Sequence, residues 1–377
     1  MSERQQPVIG IVQRTRKSPF FEATRHWGAK AYTVYNHMLM PLYYDTPQAD
    51  YWKLITGVTL WDVAVERQVE ISGPDAFHLV EYLTPRDLSR CQVGQCKYIP
   101  LTAEDGGLVN DPVLLRLGEA HFWLSLADSD VLLWAKGLAL GLGLNVTITE
   151  PDVSPLAVQG PKAQLVMAAL FGAWVEKLGF FRFRETELAG IPLVVARSGW
   201  SKQGGFELYL RDSRYGEQLW DMIMAAGQAY DIAPAAPSGI ERIESGLLSY
   251  GNDMTLAHNP FEVGLGAYCD LDKTADFIGR ATLRRIKAEG VRRQLVGLEL
   301  AGPERAGNEQ HWPLYYQEVP SGAVTSATYS PRLQKNIALA IVTTERAKPG
   351  PPLTVDTPEG LVAATVVPLP FIDPSNK

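Results

Sequence analysis

A weak internal repeat constrains this chain more than any other feature of its sequence. VEISGPDAFHLVEYL (69–83) resembles LAVQGPKAQLVMAAL (156–170). Each copy has alternating apolar residues, then Gly-Pro, then an alanine that opens a 3.6-period apolar pattern. That order predicts a strand, a tight turn and a helix. Downstream, each copy has a Gly-Gly pair before another strand-like run, DGGLVNDPVLLRL (105–117) and KQGGFELYLR (202–211). Two strand–helix–strand units predict two related α+β parts that face each other. Each second run carries a carboxylate among apolar residues, Asp111 in the first and Glu207 in the second. A carboxylate buried unpaired is costly. Either both acids point to solvent on alternating strands, or the repeat brings them to one cleft.

A second change of character comes after APAAPSG (233–239), where IERIESGLLSYGND (240–253) predicts a helix with a Gly-Asn-Asp end. From about residue 290 the runs VGLEL (296–300), AVTSATYS (323–330), IALAIVTT (337–344) and LVAATVVPL (361–369) are strand-like and separated by Gly, Pro and charged turns. They predict a small antiparallel β domain. The expected division is 1–150, 151–285 and 286–377.

Composition removes several function classes. With 377 residues the chain can bury a large core without disulfides or metal staples. Its 35 basic and 42 acidic residues leave a net charge of −7, against nucleic-acid binding and against a polybasic membrane anchor. Cys91, Cys96 and Cys269 form neither a disulfide framework nor a zinc set, and the six histidines make no H-x3-H or H-E-x-x-H pair. No metal is expected. The N-terminus lacks a signal-peptide apolar core, and GLALGLGLNV (137–146) is too short and glycine-rich to span a bilayer. Its glycines are expected in turns or at close packing, and the expected compartment is the cytoplasm. P-loop, Rossmann and G-x-S-x-G signatures are absent. Trp200, Phe206 and Tyr209 surround Glu207, and Tyr98 precedes the strand of Asp111. Such aromatics are either core or, beside carboxylates, the walls of a site for a flat heterocycle or a cation.

Six ordered blocks resemble the aminomethyltransferase superfamily, the T-protein of the glycine cleavage system and its relatives. They are LWDVAVERQVEISGPDA (60–76), GGLVNDPVLL (106–115), LAVQGPKA (156–163), RSGWSKQGGFE (197–207), RIESGLLSYGND (242–253) and TSATYSPRLQKNIALAIV (325–342). YTVYNHMLMP (32–41), DVAVERQVEI (62–71), TPRDLS (84–89), LSLADSD (124–130) and SKQGGFE (201–207) are more similar to one branch, the tetrahydrofolate-dependent dimethylsulfoniopropionate demethylases. Departures from the T-protein point the same way. Its paired aspartates are Asn110 and Asp111 here, its GYTGEDG loop is GWSKQGG, and an arginine of its LRLEAG region is Ser238.

The resemblance implies an α+β cloverleaf of two ferredoxin-like units and a C-terminal β-barrel, with tetrahydrofolate in the central channel. It implies that Asp111 is catalytic or orients the folate, that Glu207 binds the pterin ring and that Tyr98 lies near the folate. It places Trp200, Tyr209 and Ser249 in the substrate pocket. The implied reaction moves an S-methyl group from a small sulfonium to N5 of tetrahydrofolate. Trp200 and Tyr209 suit cation–π binding of the sulfonium. Ser249, or Arg16 and Lys17 of the basic N-terminal run, are candidates for the substrate carboxylate. A betaine, an N-methyl amino acid or a methyl ether is the alternative donor.

Overall fold

The computed structural model describes residues 10–372. The Gly-Pro repeat forms as expected. Strand Gln68–Ser72 leads into helix Ala76–Leu83, and strand Ser154–Gln159 leads into helix Ala163–Phe171. Gly73 and Gly160 turn the chain with nearly equal φ of +120° and +123°. Both also sit against backbone: a Cβ would lie 2.9 Å from the Asn145 carbonyl oxygen at Gly73, and 2.5 Å from that of Gly57 at Gly160. Only glycine meets both demands without strain.

Each repeat strand sits inside a sheet. The first sheet runs in spatial order Thr147–Thr149, Gln68–Ser72, His121–Ser125, Val113–Gly118, Gln95–Tyr98. The second runs Ala233–Ala235, Thr59–Asp62, Ser154–Gln159, Gly205–Leu210, Ile191–Ala196, Phe183–Leu188. One face of each carries its helices. Val69, Ile71, Phe122 and Leu124 pack under Leu79, Leu83 and Val131 in the first. Leu156, Val158, Leu208 and Leu210 pack under Val166, Leu219 and Trp220 in the second. The opposite faces meet through Cys96, Leu115 and Trp123 of the first sheet and Val194, Ala196 and Tyr209 of the second. The third body is a closed six-stranded antiparallel barrel, Arg293–Leu300, Lys335–Thr343, Val319–Ser330, Trp312–Tyr316, Leu353–Thr357, Gly360–Val367. The α+β cloverleaf is therefore present.

Four expectations change. Thr59–Asp62 precedes the first repeat yet pairs with Ser154–Gln159, so a break at residue 150 does not separate the sheets. The two Gly-Gly runs are not counterparts. Gly205–Leu210 lies beside its repeat strand, as His121–Ser125 does in the first sheet, whereas Gly107 leads to a separate two-stranded ribbon of Leu101–Thr102 with Leu108–Asn110. The helix expected over 240–253 spans only Gly239–Glu244, because Gly246 takes φ +64° just beyond it. Gly137 and Gly141 lie inside helix Val131–Leu142 on its outer side, where an added Cβ would meet nothing within 4 Å.

These glycines give a paired test. Gly160→Ala should destabilise by several kcal/mol through strain and clash, while Gly137→Ala should stabilise by up to about 1 kcal/mol through helix propensity. Urea unfolding of both variants beside the parent checks the sign of each.

Candidate active site

The carboxylates singled out in the sequence, Glu207 and Asp111, both act on a third, Glu66, although they are not repeat counterparts. Glu207 lies in the middle of Gly205–Leu210, flanked by Ala157 and Ala196 on the neighbouring strands. The small neighbours leave room for its side chain, which is only 4% exposed. The Ser198 hydroxyl and, at 3.1 Å, the Tyr209 hydroxyl both donate to its Oε2. Burial raises the Glu207 carboxyl above the usual range, and these two hydroxyls oppose the rise.

Asp111 follows the ribbon strand Leu108–Asn110. Tyr98, at the end of Gln95–Tyr98, donates its hydroxyl to Asp111 Oδ2 at 2.9 Å. Asp111 Oδ1 is buried and has no hydrogen-bond partner among the described residues. Desolvation pushes the Asp111 carboxyl up to about 7 against the pull of Tyr98. Neighbouring Asn110 holds the turn: its amide donates to the Ala127 carbonyl at 3.0 Å and Ser129 Oγ at 2.8 Å, and its Oδ1 accepts from the backbone N–H of Ala127 and Asp111. An ionised aspartate at 110 could not donate to the Ala127 carbonyl. Asparagine thus fixes the backbone that aims Asp111.

Trp200 and Ser249 belong to a second cluster joined through an ion pair. The Arg242 guanidinium lies 5.9 Å from the Trp200 ring centroid and bonds Asp253 at 2.7 Å. Ser249 N–H donates to the same Asp253 oxygen at 2.9 Å. Tyr250 then bridges toward Asp111, donating to the Leu108 carbonyl at 2.9 Å. Its hydroxyl is pushed up to about 12 by burial and, secondarily, by the Asp111 charge.

Tyr209 takes a different place from the one the resemblance implies. It is 0% exposed, with its ring 6.2 Å from that of Trp123, and its hydroxyl serves Glu207. It has no open face for a cation and acts through Glu207. Arg16 and Lys17 are also engaged elsewhere. Arg16 pairs with Glu150 at 2.6 Å, and Lys17 sits 4.6 Å from the Phe21 ring centroid and 3.8 Å from Glu22. Ser238 caps helix Gly239–Glu244 through Glu241 N–H. A separate cavity of about 260 Å³ lies between helix Pro47–Thr56, Ser238 and the barrel residues Thr325–Thr328.

Sequence reasoning missed Glu66, Ser198, Tyr35 and Tyr250. Glu66 lies just before strand Gln68–Ser72, and Ser125 donates to its Oε2 at 3.3 Å. Tyr35 accepts a hydrogen bond from Asp128 N–H at 3.1 Å and feels the Asp111 and Glu66 charges. Nothing in local sequence marks these residues, because each reaches the site from a different element.

The three-body fold and the paired acids define a class. The family model for the GCVT N-terminal domain matches residues 20–273, and that for the glycine cleavage T-protein C-terminal barrel domain matches 293–373. The chain belongs to this aminomethyltransferase family. It is 46% identical over 94% of its length, and 96% of the relative, to the dimethylsulfoniopropionate demethylase DmdA of Ruegeria pomeroyi. It is 31% identical over 94% of its length, and 98% of the relative, to an aminomethyltransferase of Desulfitobacterium hafniense. The crystal structure of the glycine cleavage system aminomethyltransferase T of Bartonella henselae shares the fold, with a TM-score of 0.85 at 23% identity over 95% of this chain and 98% of that one. Among the described residues no helix is long and apolar enough to cross a membrane.

The raised Asp111 carboxyl makes stability depend on pH. A carboxyl raised by the fold contributes stability below its unfolded value near 4, and that contribution is lost as pH rises through about 7. Asp111→Asn should therefore gain stability over the parent between pH 4 and 7, levelling off above, by on the order of 3 kcal/mol. Urea midpoints at pH 4.5 and 8 check this; an equal difference at both would contradict the burial of Asp111.

Proposed function

We propose that this protein is a tetrahydrofolate-dependent demethylase. It transfers an S-methyl group from dimethylsulfoniopropionate to N5 of tetrahydrofolate, giving methylmercaptopropionate and 5-methyltetrahydrofolate. The observation that carries the reading is the 46% identity to the demethylase along 94% of the chain, against 31% to an aminomethyltransferase over the same share. The site supports it. Glu207 Oε1 has no donor among the described residues, and Asp111 Oδ1 is buried without one. These free acceptors suit a ligand rich in N–H groups, as a reduced pterin is.

Tetrahydrofolate supplies the nucleophilic N5 that accepts the methyl group. Glu207 Oε1, which has two lone pairs, is the acceptor for the pterin N3–H and 2-amino donors. Ser198 and Tyr209 hold its other oxygen and fix its direction. Asp111, held by Tyr98, is placed to orient N5 and to take the proton released after transfer; a carboxyl near pH 7 can carry that proton. The donor's S–CH3 bond breaks with its electron pair on sulfur, so a neutral thioether leaves and no general acid is required. The chain's main task is alignment, which is worth roughly 7–11 kcal/mol in favourable cases. Trp200 is the remaining aromatic for the sulfonium, and Ser249 the hydroxyl for its carboxylate.

Anaerobic incubation with both substrates should form methylmercaptopropionate and 5-methyltetrahydrofolate in equal amounts. Folate binding without product would keep the fold reading and redirect the donor to betaines or methyl ethers. Trp200→Ala should raise the sulfonium KM more than the folate KM; the reverse would remove Trp200 from the donor pocket. Parent kcat/KM should rise with pH through about 7 as Asp111 ionises, and Asp111→Asn should flatten that rise and lower kcat by roughly 10²-fold or more.

A further inference from the structure

Three carboxylates share one pattern. Glu207 Oε2 accepts from Ser198 and Tyr209, Asp111 Oδ2 accepts from Tyr98, and Glu66 Oε2 accepts from Ser125 at 3.3 Å. Among the described residues, the second oxygen of each has no donor. Ser125 is itself held by Gln68 Nε2 at 2.8 Å, so the Glu66 contact is braced from behind. Glu66 is partly exposed, whereas Glu207 is 4% exposed. The Asn36 amide donates to the carbonyl of Val65, next to Glu66, at 3.0 Å and to the Ala127 carbonyl at 2.9 Å, which also accepts from Asn110, next to Asp111, at 3.0 Å. The acidic charges acting on Glu66 are those of Glu207 first and Asp111 second. Burial and the Glu207 charge hold the Glu66 carboxyl well above the usual range.

A ligand that satisfies all three must present donors on three sides. This step rests on the tetrahydrofolate reading. The reduced pterin offers N3–H with the 2-amino group, N5–H, and N8–H. Glu207 and Asp111 account for the first two. We infer that Glu66 is a third folate-binding residue, whose free oxygen accepts the pterin N8–H.

The test is a binding cycle. Dissociation constants are measured anaerobically by calorimetry for tetrahydrofolate and for its 8-deaza analogue, in which CH2 replaces N8–H. The proteins are the parent, Glu66→Met, which removes the acceptor at similar size, and Glu66→Gln, which keeps a neutral one. The parent should prefer tetrahydrofolate by tenfold or more. In Glu66→Met that preference should fall to within about twofold, with Glu66→Gln between. A preference unchanged in Glu66→Met overturns the assignment, as does a parent that binds both compounds equally. A parent that binds neither overturns the folate reading itself, a distinct result. Since all three proteins are compared by the ratio of two ligands, a general loss of site integrity cancels and cannot imitate the expected pattern.

Discussion

The six-residue helix Gly239–Glu244 is the joint between the second sheet and the barrel, on which the rest of the structure depends. Its three charged side chains are all buried, and each reaches a different neighbour. Glu241 accepts from Lys202 N–H at 3.0 Å and Gln203 Nε2 at 2.8 Å, gripping the loop that carries Trp200. Arg242 pairs with Asp253 and donates to Ser326 of the barrel at 2.6 Å. Glu244 accepts from Tyr51 at 2.9 Å, from Ser330 of the barrel at 2.5 Å and from Arg332. A helix this short cannot stand on its own hydrogen bonds. Removing one partner of such a buried network leaves an unpaired charge, typically at a cost of about 3–5 kcal/mol. The seating of the barrel against the second sheet follows from these contacts.

The candidate site follows the opposite rule. Where the joint satisfies its charges, the site leaves Asp111, Glu207 and Glu66 each half satisfied. Their hydroxyl partners fix direction on one oxygen and leave the other for a ligand. Desolvation then favours the neutral acids in the absence of ligand, which lowers the cost of keeping three carboxyls close together. The apolar contact of Trp123 with Tyr209 closes the space behind Glu207 and keeps the Tyr209 hydroxyl on it.

Much of the architecture was legible because it rests on local rules. The Gly-Pro turns required positive φ, the apolar periods marked the helices that follow them, and four barrel strands alternated visibly. Two barrel strands, Trp312–Tyr316 and Leu353–Thr357, went unseen because each is only five residues long, too short for a period to stand out. Trp200, Tyr98, Asp111 and Glu207 stood out as aromatics and acids in runs that otherwise read as apolar. The role given to Tyr209 did not survive folding. A tyrosine two residues from Glu207 on the same strand shares its face, so it packs beneath that carboxylate instead of beside a ligand.

By itself the sequence determined the repeat, its strand–turn–helix units, the barrel region and the two leading acids, since periodicity and glycine stereochemistry act over a few residues. Only the tertiary structure decided that Thr59–Asp62 joins the second sheet, that Asp111 and Glu207 converge from non-equivalent strands, and that Glu66 stands beside them. Strand pairing and desolvation are properties of neighbours brought together from distant parts of the chain. No local pattern carries them, because the same carboxylate is an ordinary surface group until two sheets close over it.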